Sequence, residues 1–471
     1  IGLSHDFAKY TEYFQKQLRG ERVKKELARH AFLSALMGSW LVKKELNDDL
    51  LTTIALLCID SHHTGLKNLD TYRGLRNKAT QAVVIKQLDS MKANLDRISK
   101  EMGEIGVPYV KEFITGYESC IEEIEKSVHK VIRKINFGMN EEDAWGSYLT
   151  TLLLFSSLID ADRRDAAMVS VSNSHFHLSR EIVLRFKQQK FEAVETKPII
   201  NMRNELFSIV DKRLDELLKE NNLPNLMTLT APTGSGKTLL GFYTALRLCE
   251  KVSKEHGVSP RIIYCLPYIT IVDQTHTTIH NALSIWVGRN PEVDLLLKHH
   301  HLSLPEIVNG ESPLDKALLM TESWDSKVIV STFEQLVRTV INRDTASIRR
   351  FHNIANSIII LDEVQAFPLE YMGLIRSLLT NLAEKLNIKI ILMSATIPLL
   401  FKGKNSLELV PNSERLYTKL DRYTLYPSIS STIDVQNFVD EIFLRSWDFK
   451  SSVLIVLNKI ETSKLVYNRI V

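Results

Sequence analysis

Apolar positions in the first 185 residues recur at helical spacing: Leu27, Phe32, Leu36 and Leu41, then Ile54, Leu57 and Cys58, then Leu149, Leu153 and Phe155. Such a period lines one face of a helix, and strand-like alternation is scarce there, so the pattern predicts an all-α region over residues 1–185. Within it, the charged stretch 81–100 fits either an exposed helix or an insertion. From 186 to 200 the chain turns polar, with Gln188-Gln-Lys and Lys197-Pro198, and reads as a linker. Short runs rich in β-branched residues then alternate with helical segments, at 226–229, 262–266, 328–331, 358–361 and 388–393. This alternation predicts an α/β domain with a mainly parallel sheet over residues 201–425. Beyond it, one more strand at 453–458 and a helix after it look like the opening of a second α/β lobe, residues 426–471.

Composition narrows the classes. The 471 residues carry 59 Lys+Arg against 56 Asp+Glu, a formal charge of +3, so net charge gives no argument for a nucleic-acid partner and any basic groove must be local. Cys58, Cys120, Cys249 and Cys265 are scattered with no paired spacing. That pattern argues against a disulfide framework or a zinc knuckle and points to a reducing, cytoplasmic setting. No apolar run approaches the ~20 residues a membrane span needs, so no membrane partner is expected. The chain starts at Ile1 without a Met and stops at Val471 inside an amphipathic segment, from which we expect a fragment cut at both ends.

Chemistry enters at Leu229-Thr-Ala-Pro-Thr-Gly-Ser-Gly-Lys-Thr-Leu239, an apolar strand running into a small-residue loop that opens a helix. Gly234 and Gly236 let successive backbone N–H groups turn toward phosphate oxygens, and the helix that follows offers unpaired donors and the positive end of its dipole. Thr233, Gly234, Ser235, Gly236, Lys237 and Thr238 are therefore the candidate ATP-binding loop, Lys237 reaching the β/γ-phosphates and Thr238 holding Mg²⁺. The strict pattern wants a glycine where this chain has Ala231. Leu361-Asp-Glu-Val-Gln365 ends a very apolar strand, where Asp362 would hold the Mg²⁺ water shell and Glu363 would orient and deprotonate the attacking water. Gln365 completes the ATP-binding set, and Ser394-Ala-Thr396 follows another apolar strand.

These motifs, with Leu266-Pro-Tyr-Ile-Thr-Ile-Val-Asp-Gln274 and Val330-Ser-Thr-Phe-Glu-Gln-Leu336 between them, form an ordered set that resembles the first RecA-like lobe of superfamily 2 helicases. The resemblance implies ATP-driven translocation on a nucleic-acid strand, with Pro267 and Thr332 touching the backbone and Ser394 and Thr396 coupling hydrolysis to lobe movement. The second-lobe arginines that complete such ATP sites have no counterpart in this sequence, so the chain is expected to bind ATP and hydrolyse it poorly.

The helical region carries His5-Asp6, His30, His62-His63 and Asp160-Ala-Asp162. Imidazoles and carboxylates bind first-row divalent metals, and a mixed set can hold two ions. Read in order, H-D, H, H-H, D resembles the HD phosphohydrolase superfamily, which implies the metal ligands His5, Asp6, His30, His62, His63 and Asp162. Asp162 is preferred to Asp160 because it matches the superfamily's terminal Ala-Asp. A further His, some tens of residues before the H-D pair in that superfamily, would fall before Ile1, and Ala8 stands where a Gly is usual before Lys9.

An HD domain ahead of a superfamily 2 motor, with Phe14-Gln15, Asn201-Met-Arg203 and the Leu-Pro-x(5)-Asp-Gln form of the second motor motif, is similar to the CRISPR-associated helicase-nucleases of type I interference systems. The similarity implies a nuclease acting on single-stranded DNA, fed by a 3′→5′ translocase and recruited by an RNA-guided surveillance complex. It also implies two divalent transition-metal ions (Mn, Co, Ni or Fe) beside ATP and Mg²⁺, with Asp6 bridging the ions and Lys9 near the scissile phosphate. The alternatives are a helicase whose HD region is a non-nucleolytic docking domain, and a binding protein with both sites inactive. His299-His-His301 reads as a solvated loop, His129, His175 and His177 have no matching spacing, and Trp145 reads as core.

Overall fold

A computed structural model describes residues 1–169, 176–191, 198–219, 223–300, 314–396, 401, 406–418, 424, 426–427, 432–443, 450 and 452–470. The chain divides into two compact units, Ile1–Lys419 and Leu420–Val471.

In the first unit no strand occurs among the described residues before 226. The long helices there are α1 (Ala31–Leu46), α2 (Asp49–Ser61), α3 (Lys78–Lys92), α4 (Leu95–Glu104), α5 (Tyr117–Phe137) and α6 (Glu141–Ala166). Their starts are set by side chains that accept otherwise unpaired N–H groups: Asp48 from Leu51 N at 2.8 Å for α2, Asn77 from Thr80 N at 2.9 Å for α3, and Asn140 from Asp143 N at 2.7 Å for α6. Helices α1 and α2 pack closely at Gly38, where an added Cβ would sit 2.4 Å from Ile59 Cδ1. The charged stretch 81–100 is built into the domain through α3 and α4, whose Val84, Leu88, Met91 and Ile98 are buried. Trp145 is half-buried against the core.

Helices α7 (Glu181–Phe191) and α8 (Pro198–Lys219) then lead to a seven-stranded sheet. Residues 186–191 and 198–200, whose polar texture suggested a linker, belong to these helices; 192–197 lie outside the described residues. The strands β1 (Leu226–Thr230), β2 (Ile262–Leu266), β3 (Leu296–His299), β4 (Val328–Thr332), β5 (Ile358–Asp362), β6 (Lys389–Ser394) and β7 (Leu407–Glu408) are all parallel, in the order β3-β4-β2-β5-β6-β1-β7. The interior strands are buried on both faces, which is why they read as continuous apolar runs. Helices α9 (Lys237–His256), α10 (Ile269–Val287), α11 (Phe333–Ile341) and α12 (Met372–Lys385) connect them. The five expected strands are present; β3 and β7, four and two residues long, left no signal.

The helical region and the sheet region share one core and one buried polar joint. Asp160, on α6, accepts from Arg349 Nε at 2.8 Å and from Arg164 Nε at 2.6 Å. Arg164 also donates to Asp325 at 3.1 Å, which in turn accepts from Arg261 at 2.9 Å just before β2. The Ser156 hydroxyl donates to the Arg349 carbonyl at 2.9 Å and accepts from His352 N at 3.0 Å. Arg349 has no solvent exposure.

The histidine run corrects an expectation. The half-buried His299 ends β3 and accepts from the buried Trp324 indole at 3.1 Å, and His300 is buried; His301, like His175, lies outside the described residues. A run of imidazoles looks hydrophilic, but strand pairing with β4 takes this one inside. Burial pushes His299 down to about 3, so it stays neutral.

In the second unit, residues 453–458 form no strand: the segment has no regular structure, with Leu454 and Val456 exposed. A strand needs a ladder partner, and none is present among the described residues. The helix Ile460–Ile470 is there, its Val466 buried and its Arg469 Nε 3.0 Å from Asp440. No helix among the described residues is long and apolar enough to cross a membrane.

Removing one member of a buried ion pair strands the other charge, so Arg349→Ala is expected to lower unfolding stability by about 3–5 kcal/mol. Equilibrium denaturation followed by fluorescence reads this; a loss under about 1 kcal/mol contradicts the joint's importance.

Candidate functional site

Two clusters of chemistry-bearing residues sit in the first unit, one at the ends of the helices and one at the carboxyl ends of the strands.

The helical cluster is built from chain ends. His5 and Asp6 lie in the turn before the short helical turn Phe7–Tyr10, His30 caps the start of α1, and His62 follows the last residue of α2 with His63 next to it. Asp162 projects from α6, two residues beyond Asp160. At about 100° per residue the two carboxylates leave α6 on nearly opposite sides, Asp160 toward the sheet joint and Asp162 into the cluster. His5 Nε2 lies 3.4 Å from Asp6 Oδ2 and 3.5 Å from Asp162 Oδ1. His30 Nε2 lies 3.4 Å from Asp6 Oδ1 and 2.9 Å from His63 Nε2. Two triads result, His5/Asp6/Asp162 and His30/His62/His63, each with its ligand atoms within 4.8 Å of one another. All six residues of the expected set are therefore brought together.

The hydrogen bonds around the triads leave the right atoms free. Nδ1 of His5 is bonded to the Gly2 carbonyl at 2.6 Å and Nδ1 of His62 to the Ile59 carbonyl. A carbonyl accepts only, so each Nδ1 carries the proton and each Nε2 keeps its lone pair. Nε2 of His5, Nε2 of His62 and Oδ1 of Asp6 are buried without any hydrogen-bond partner. Buried acceptors without donors are costly, and each triad contains at least one of them, which fits a divalent cation. Lys9 donates to Asp6 Oδ2 at 2.6 Å. A cavity of about 340 Å³ opens beside His5 and Asp162, walled by Leu154, Leu158 and Ala161.

Electrostatics suit the same use. Burial lowers His62 and His63 and brings His30 down to about 4, so three imidazoles stay neutral. Burial also acts to lower His5, but the approach of Asp162 to 3.5 Å, the bond to Gly2 and the charges of Asp6 and Asp162 outweigh that and raise it. The closeness of His5, against the effect of burial, brings Asp162 down to about 2.

The second cluster gathers at the ends of β1, β2, β5 and β6. Gly234 and Gly236 take φ of 76° and 84°, a region that favours glycine, and turn the loop after β1 into α9. Arg203 of α8 grips the loop from outside, donating to the Gly234 carbonyl at 2.9 and 3.1 Å. Nζ of Lys237 and Oγ of Ser235 are buried with no hydrogen-bond partner, Lys237 lying 3.4 Å from Glu363. An ammonium and a hydroxyl without hydrogen bonds at a helix N-terminus fit phosphate oxygens.

Asp362 ends β5, and Glu363 follows it in the left-handed region at φ 60°, its N–H donating to Asp362 Oδ1 at 2.9 Å. Burial, with Glu363 adjacent, pushes Asp362 up to about 6 against the hydrogen bond from Tyr264. Gln365 donates to Glu363 at 2.7 Å and accepts from the Ser394 hydroxyl, which in turn accepts from Thr396 N at 3.0 Å. Ser394 and Thr396 are thus wired to Glu363 through Gln365. Pro267 is half-buried after β2 with the exposed Tyr268 beside it, whereas Thr332 is buried, its hydroxyl accepting from Gln335 N at 3.3 Å to cap α11. Two residues went unread in the sequence. Arg203 stood only as part of a family-like phrase, and Tyr264 was hidden in an apolar run, where a lone phenol among Ile-Ile-Tyr-Cys-Leu was the available signal.

Residues 211–401 match the family described as DEAD/DEAH box helicase. Among curated proteins, the chain is 24% identical over 441 residues to the CRISPR-associated nuclease/helicase Cas3 of Haloferax volcanii, covering 86% of this chain and 46% of that protein. It is 21% identical over 429 residues to the protein of the same description from Methanothermobacter thermautotrophicus, covering 85% and 48%. The chain thus spans about half the length of the curated relatives it matches. Among solved structures, T. fusca Cas3-ADP is similar at 19% identity and a TM-score of 0.48, over 83% of this chain and 43% of that one.

Metal binding to the helical cluster should strengthen as pH rises. His5, raised above its ordinary 6.5, must lose its proton to ligate, while the other three imidazoles are already neutral. Calorimetric titration with Mn²⁺ is expected to show affinity rising by about tenfold from pH 6 to pH 8; a flat profile contradicts the assignment of His5.

Proposed function

We propose that this Cas3-like chain joins an ATP-driven helicase lobe to a metal-dependent nuclease centre that degrades single-stranded DNA in CRISPR defence. The observation that carries it is the pairing, within one compact unit, of two unpartnered sites: triads whose buried imidazole and carboxylate atoms lack donors, and a phosphate loop whose buried lysine lacks an acceptor. The helicase part is supported further by the family match over residues 211–401, and the CRISPR setting by the description of the curated relatives.

In this reading residues 1–185 are the HD-type nuclease domain, 201–425 the first RecA-like lobe and 426–471 the start of a second. Lys237, Ser235 and the backbone of 233–236 bind the ATP phosphates, Thr238 and Asp362 hold Mg²⁺, and Glu363 takes the proton of the attacking water. Gln365 passes the state of Glu363 to Ser394 and Thr396. Pro267 lies on the nucleic-acid path, and Thr332 serves it by fixing the start of α11, whose first N–H groups suit a phosphate. Contact with the backbone rather than base edges suits a motor that steps along any sequence.

His5, Asp6 and Asp162 would hold one divalent transition-metal ion and His30, His62 and His63 a second. Such ions neutralise a phosphodiester and make bound water acidic. Asp6 orients both triads, lying between His5 and His30, and Lys9 both steadies Asp6 and presents its ammonium toward the substrate phosphate. A strand already displaced within an R-loop needs no melting, which makes an RNA-guided surveillance complex the fitting partner.

Two variants separate the parts. Asp6→Ala is expected to lower Mn²⁺-dependent degradation of circular single-stranded DNA about 100-fold while leaving ATP binding intact. Lys237→Ala is expected to weaken ATP binding at least about tenfold while leaving degradation without ATP intact. Degradation that survives Asp6→Ala overturns the nuclease assignment and leaves the helical domain as a docking module; unchanged ATP binding in Lys237→Ala overturns the phosphate-loop assignment.

A further inference from the structure

The side chain of Tyr264 is fully buried in the middle of β2, between β4 and β5, where every other residue of the strand is aliphatic or Cys. It stands in register with Ile360, two residues before Asp362 on the neighbouring strand. Its hydroxyl lies 2.8 Å from Asp362 Oδ2. Asp362 is one of the two groups assigned above to Mg²⁺.

The direction of this bond follows from what each group can do. An ionised carboxylate only accepts, so the phenol donates its one proton to Asp362. Asp362 meanwhile is held at both oxygens, Oδ2 by Tyr264 and Oδ1 by Glu363 N–H at 2.9 Å. The phenol comes from β2, a strand that carries none of the other residues assigned to the nucleotide.

We propose that Tyr264 is a positioning residue of the ATP site, orienting the Asp362 carboxylate for Mg²⁺ from behind. Residues that orient the groups around a metal commonly matter about tenfold or more to its affinity. Tyr264 touches neither phosphate nor water in this role. The inference rests on the ATP-binding reading of the loop at 233–238.

The test uses Tyr264→Phe, which keeps the ring and removes one hydroxyl. The readout is a fluorescent ATP analogue titrated with Mg²⁺ on the whole chain, with Tyr72→Phe as control. Tyr72 is a comparably buried phenol, 2.8 Å from Asp60 and remote from nucleotide chemistry. The half-saturating Mg²⁺ concentration is expected to rise about tenfold in Tyr264→Phe and to stay put in Tyr72→Phe, with nucleotide binding in EDTA alike in all three proteins. Half-saturation does not depend on the amount of folded protein, so partial unfolding does not hide the result. An unchanged half-saturation in Tyr264→Phe overturns the positioning role while leaving the ATP site standing. Absence of Mg²⁺-dependent nucleotide binding in the unaltered chain overturns the ATP site itself, and this inference with it.

Discussion

The buried carboxylate of Asp160 is the constraint on which the arrangement of the first unit depends. It sits at 4% exposure with the Arg164 and Arg349 guanidiniums on its two oxygens, one from its own helix and one from the sheet region. Buried ion pairs seldom stabilise more than well-packed apolar groups, but they are unforgiving about geometry, because each member is costly when unpaired. Here that intolerance fixes the rotation and height of α6 against the sheet. Since α6 also carries Asp162, the same constraint sets one ligand of the helical cluster. The joint and the triads are two faces of one helix.

Both candidate sites follow one physical logic. Folding a polar group inside without a partner costs on the order of 1–3 kcal/mol, and the chain does so at His5, Asp6, His62, Ser235 and Lys237. In each cluster the orphaned atoms have a single chemical character, acceptors for a cation in the triads and donors for an anion in the loop. Surrounding bonds hold them there: Gly2 and Ile59 carbonyls for the imidazoles, Arg203 for the phosphate loop, Tyr264 and Glu363 N–H for Asp362.

Much of this was legible in the residues. The helical and parallel-sheet textures gave the two regions and five of the seven strands, because strands buried on both faces must be continuously apolar. The six clustered residues and the glycine loop before α9 were legible because short motifs fix local backbone and chemistry together. What was not legible was long-range. Strands β3 and β7 are too short to impose a period, and their existence depends on β4 and β1 being beside them. The exposed run at 453–458 has the right composition for a strand and lacks a neighbour. His299 was misjudged because its burial is decided by Trp324 and Arg350, 25 and 51 residues away. Arg349 and Tyr264 carry no motif; their importance lies in which carboxylate each one meets.

As proposed, the two triads are a pair of cation sites on the same unit as a nucleotide site. Anomalous diffraction at the manganese edge, from crystals grown with Mn²⁺ and a non-hydrolysable ATP analogue, tests this. One peak is expected among His5, Asp6 and Asp162, one among His30, His62 and His63, and a third beside Thr238. Density for the nucleotide with no peak in either triad would contradict it.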